Sequence, residues 1–107
     1  MTGHLVQIIL PVFDNDGVPI ARHLFAQVRR ELTERFGGAT AYTRAPAEGT
    51  WESSAGEVRR DDVIVVETMT TQLDRAWWAN YSRELARRFQ QESVIVRALT
   101  FELLSAT

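Results

Sequence analysis

Few side chains in this 107-residue sequence are of types that could do chemistry, and their spacing excludes most of the familiar reactions. There is no cysteine, which removes disulfides, zinc–thiolate sites, iron–sulfur ligation and thiol nucleophiles together. The two histidines, His4 and His23, fall at a strand start and on a helix surface, without the spacing of paired ligands. No metal and no cofactor is expected. Ser53, Ser54 and Ser82 have no G-x-S-x-G around them, and no glycine-rich phosphate loop is present. The run "DNDG", Asp14 to Gly17, has the outline of a calcium loop. Placing Gly17 at that loop's glycine puts Val12 at the first ligand position and His23 where a bidentate Glu belongs, so a turn is the better reading. The polar groups left to handle a small organic substrate are Tyr42, Tyr81, His23, Arg44 and Arg97.

One stretch is richer: "GTWESSAGEVRRDDVIVVE", Gly49 to Glu67. Arg59 and Arg60 could clamp an anion, with Asp61 or Asp62 as a base. No second group is placed by sequence to cooperate with them. Ser53 to Gly56 suit a hairpin loop, Pro46 and Gly49 suit a kinked edge strand, and the paired charges suit a solvated strand segment. The stretch is read as a hairpin, with Trp51 and Arg59 kept as candidate ligand or interface residues. Trp77 and Trp78 point about 100° apart on a helix, so one must leave the core stripe. Trp78 aligns with Leu85 and Phe89, whereas Trp77 is expected at the rim of the sheet, a candidate pocket wall or interface residue beside Tyr81.

These residues are positioned by two matched halves. "LFAQVRRELTERF" (Leu24 to Phe36) and "WWANYSRELARRF" (Trp77 to Phe89) are identical at six of thirteen positions, at an offset of 53 residues. Each has helical period: Phe25, Val28, Leu32 and Phe36 in the first, Trp78, Tyr81, Leu85 and Phe89 in the second. Pro19 is expected in the first turn of the first helix, and Gly37 and Gly38 at its end. Thr71 with Asp74 is read as a capping box for the second helix. Apolar runs at Leu5 to Phe13 and Val63 to Thr68 precede the helices as strands. Ala39 to Arg44, extended through Trp51, and Ser93 to Leu104 follow them. The order β-α-β-β-α-β with right-handed crossovers predicts an antiparallel sheet of order 4-1-3-2, α+β, with both helices on one face.

This is the ferredoxin-like layout. The chain also resembles an uncharacterised family of small bacterial domains of that fold, through "RFGG" closing the first helix, "GTWESSAGEVRRDD" at the middle hairpin and "FQQESVIVR" opening the last strand. The likeness implies the fold and carries no activity with it.

Composition and topology then bound the function. The length suits one domain over residues 1–107, and a net charge of −2 gives no general attraction to phosphate backbones or anionic lipid. The nine residues from Leu5 to Phe13 are too short to span a bilayer and lack a basic leader, so a soluble, cytoplasmic protein is expected. RNA-recognition domains share this order of elements but need aromatics on the central strands. "VIVVET" has none, and no nucleic-acid partner is expected. All twelve basic residues are arginine, scattered along the chain. Strand alternation leaves both faces of the sheet apolar, while two helices cover only one. The open face is therefore expected to be covered by a second copy, with room for a small-molecule ligand, in a homodimeric binding module. The alternative is a cofactor-free enzyme resembling dimeric α/β-barrel monooxygenases or isomerases.

Overall fold

A computed structural model describes residues 1–44 and 62–106. The elements run β1 (Thr2–Pro11), α1 (Arg22–Phe36), β2 (Thr40–Arg44), β3 (Val63–Thr70), α2 (Arg75–Arg88) and β4 (Ile95–Glu102). The strands form one antiparallel sheet of order β2-β3-β1-β4, the expected order read from its other edge. The fold is the α+β ferredoxin-like layout. Its two central strands are also the most apolar ones, as burial from both sides requires. The hairpin expected around Trp51, and with it Arg59, lies outside the described residues.

Alternation along β1 sends Val6, Ile8 and Leu10 to the helix side, where all three are fully buried. They pack with Val66 of β3, Val28 and Leu32 of α1, and Trp78, Tyr81, Leu85 and Phe89 of α2. The repeat in the sequence is visible here as reciprocal contacts. Phe25 of α1 meets Phe89 after α2 at 5.3 Å between ring centroids, and Phe36 at the end of α1 meets Trp78 of α2 at 5.2 Å. Shifted by 53 residues, the first pair becomes the second with its members exchanged. The two helices therefore pack about an approximate internal two-fold.

The helix ends correct two expectations. Pro19 lies outside α1, because the chain first closes a turn in which Asp14 Oδ1 accepts from the amides of Asp16 and Val18. Ile20 N–H then donates to Val12 O, which holds Pro19 in extended chain until the helix begins at Arg22. Thr71 does not cap α2. Asp74 is itself the N-cap, accepting from Trp77 N–H at 3.0 Å. Gly37 ends α1 as expected, at φ 89°, with its N–H on Thr33 O.

Across the helix pair runs a charged network. Arg88 donates to both oxygens of Glu31, at 2.7 and 3.0 Å, and Tyr81 Oη donates to Glu31 Oε1 at 2.8 Å. Burial alone would raise the Glu31 carboxyl. The bonds from Arg88 and Tyr81, with the charges of Arg88 and Arg30, outweigh it and hold the group below its usual range. Burial first, then the bond to Glu31 and its charge, push the Tyr81 phenol up, so it remains a donor at every physiological pH. Because the Glu31 pKa is depressed on folding, its contribution is full above the unfolded value near ~4.3 and is lost as pH falls through the lower folded value. Glu31 is about one-third exposed, so Glu31→Gln should cost only about 1 kcal/mol near neutrality. The difference between wild type and variant should narrow in urea unfolding as pH falls below that unfolded value. An unchanged difference at acid pH would mean that the carboxylate charge is not what matters.

Candidate functional site

The face of the sheet away from the helices is built in rows by the cross-strand register. Tyr42 (β2), Val65 (β3), Ile9 (β1) and Ile95 (β4) stand in one row. Thr40, Glu67, Gln7 and Arg97 form the next, and Met69, Leu5 and Leu99 the third, ending in Phe101 beside Gly3. A Cβ at Gly3 would sit 2.9 Å from Thr70 O and 3.0 Å from the Phe101 ring, so glycine lets that ring lie down on β1. The face is thus a polar stripe between two apolar bands.

The stripe is hydrogen-bonded from end to end. Arg97 Nε donates to Gln7 Oε1 at 2.8 Å, Gln7 Nε2 donates to Glu67 Oε2 at 2.5 Å, and Tyr42 Oη donates to the same oxygen at 3.0 Å. Partial desolvation, then the bond to Glu67 and its charge, raise the Tyr42 phenol and keep it a donor. Glu67 and Arg97 are two strand spacings apart, about 10 Å, so Gln7 bridges charges that do not reach one another. Neither has an ion-pair partner among the described residues. Within the flanking bands Met69 is 56% exposed, Ile95 58%, Leu99 48% and Tyr42 38%, whereas Val65, between Tyr42 and Ile9, is buried.

Of the residues singled out from sequence, Tyr42, Arg44 and Arg97 share this face. Arg44 lies one row beyond Tyr42, opposite Val63. Trp77 and Tyr81 lie on the helix side instead. Trp77 is half-buried at the margin of the core: it stacks on Tyr81 at 4.8 Å, meets Phe36 edge-on, and carries the Arg35 guanidinium 4.2 Å above its ring. The Phe36 side chain, brought up by the end of α1, is what captures it. Trp51 and Arg59 fall outside the described residues, and His23 is exposed on α1. Sequence reasoning missed Glu67 and Gln7. Their signal is a polar residue interrupting each of the two central apolar runs, "LVQIILPVF" and "VIVVET".

On the helix side, a cleft of about 270 Å³ separates α2 from β4, lined by Val6, Trp78 and Val96 together with the polar Arg75, Ser82 and Arg97. The Trp78 indole N–H has no hydrogen-bond partner among the described residues. Trp77 and Tyr81 do not line this cleft. No group of three or more His, Asp or Glu among the described residues could hold a metal ion. No helix among them is long and apolar enough to cross a membrane. Comparison with protein-family models, with curated proteins and with solved structures finds no match.

Proposed function

We propose that this chain is a homodimeric interaction module whose open sheet face is the interface. The observation that carries the reading is the pair of apolar bands, in which Tyr42, Met69, Ile95 and Leu99 are each more than a third exposed. Exposed apolar bands of this kind mark an association site, and a face shared by identical chains is satisfied by a two-fold dimer. The competing reading is a cofactor-free enzyme acting on a small organic substrate. It needs a pocket that brings Trp77 or Tyr81 against a free polar group. Those two rings are instead spent on Phe36, Arg35 and Glu31, which favours the module. The α2–β4 cleft leaves room for a small ligand beside Trp78 as an accessory to that role.

Sedimentation equilibrium over a wide concentration range tests the proposal. The expected result is a species of twice the 12.2 kDa chain mass that dissociates reversibly on dilution. A single 12.2 kDa species at the highest attainable concentration would remove the proposal.

A further inference from the structure

If the open faces do meet, the polar stripe limits how they can meet. Two sheets packed face to face by a two-fold must place the axis in the interface plane, so it runs along the strands or across them. With the axis across the strands, each residue of the stripe faces its own copy. Glu67 would then sit on the partner's Glu67 and Arg97 on the partner's Arg97, with the like charges desolvated between apolar bands. Such juxtaposition is strongly unfavourable. With the axis along the strands, the stripe is read in reverse by its partner. Its ends carry opposite charge, and the reversal becomes complementary.

We infer that the two-fold axis runs along β1 over Gln7, so that Glu67 of each copy meets the partner's Arg97. This deepens the dimer reading and depends on it. In this arrangement β3 of one copy lies over β4 of the other, and β1 lies over β1. Met69 then faces the partner's Leu99, so the exposed band beyond the stripe on the Leu5 side is closed by its counterpart, while Val65 is already buried within its own chain. Among the described residues the guanidinium of Arg97 bonds only through Nε, to Gln7, leaving its outer nitrogens for a carboxylate above it. Glu67 accepts both of its described bonds at Oε2, leaving Oε1 for the partner. Each charge is half-satisfied by the described residues, on the side the other copy would complete. β2, with Tyr42 and Arg44, lies beyond the overlap.

Charge exchange tests the axis separately from the dimer. Glu67→Arg makes the stripe wholly basic and Arg97→Glu makes it wholly acidic. Each single variant should dissociate at least about tenfold more readily than wild type, and an equimolar mixture should form the heterodimer in preference to either homodimer. The double variant Glu67→Arg/Arg97→Glu should return to within about threefold of wild type, because the Gln7 amide can turn over to donate and accept in the opposite sense. Sedimentation and native mass spectrometry read both results, with circular dichroism confirming that each variant is folded. A monomeric wild type would overturn the dimer itself. A wild-type dimer whose single variants associate as tightly as it does, or whose mixture pairs statistically, would overturn the placement of the axis and leave the dimer standing.

Discussion

Leu99→Arg is expected to yield a folded monomer. Leu99 is 48% exposed in the isolated chain, on the edge strand β4, so folding gains only about half of its burial and the substitution should cost the fold about 1 kcal/mol. The dimer is a different matter, because a two-fold interface feels every substitution twice. Covering the remaining half of the side chain contributes about 1 kcal/mol per copy, and inserting a charge into the apolar band adds at least as much again. The sum is about 4 kcal/mol, close to a thousandfold in the dissociation constant. The matched control is His23→Arg, which adds the same charge on the exposed surface of α1 and should leave association unchanged. Sedimentation of the two variants at equal concentration makes the comparison. Dimerisation of Leu99→Arg at wild-type strength would place the interface elsewhere on the molecule, and a loss of association in both variants would point to charge in general.

The route from sequence to this face shows which information is local. The helices announced themselves because the stripes Phe25–Val28–Leu32–Phe36 and Trp78–Tyr81–Leu85–Phe89 are local patterns of period 3.6. The central strands did the same as apolar runs, and right-handed crossovers left one order for the sheet. The polar stripe is of another kind. Gln7, Glu67 and Arg97 are separated by 60 and 30 residues in the chain, and become neighbours only through the pairs Gln7↔Glu67 and Gln7↔Arg97. Register is a property of two strands at once, so no window on either strand contains it. Tyr42 and Arg97 were chosen for a pocket chemistry, whereas what joins them is a chain of hydrogen bonds across the sheet through Glu67 and Gln7. What Trp77 packs against was hidden for a similar reason. Its neighbour Phe36 is supplied by the other half of the repeat, and helical geometry alone placed it beyond the core stripe. Pro19 and Thr71 were misplaced by a residue-by-residue reading of capping signals. Asp14 and Asp74 make side-chain bonds that settle where those segments turn.

The internal two-fold makes a second strong prediction. Leu32 and Leu85 occupy equivalent places, 53 residues apart, one on each helix, and both are fully buried in the same core. Truncating a buried leucine removes its transfer free energy and leaves a cavity that its neighbours fill only partly, at about 3 kcal/mol. That is a large share of the ~5–15 kcal/mol expected of a whole domain, and corresponds to a fall in Tm of roughly 15 °C. If the halves share the core as their reciprocal aromatic pairs indicate, Leu32→Ala and Leu85→Ala should lose the same stability to within about 1 kcal/mol, a tighter match than the spread usual for this substitution. The cleft beside α2 biases any inequality in one direction: Val94, Val96 and Trp78 border open space, so α2 has more freedom to settle into the hole left at Leu85. Denaturant unfolding of the two variants, with the slope m checked for two-state behaviour, measures both quantities. A Leu85→Ala cost below half that of Leu32→Ala would show that α1 alone anchors the sheet. In that case the six identities would reflect helical composition, with no shared structural role for the two halves.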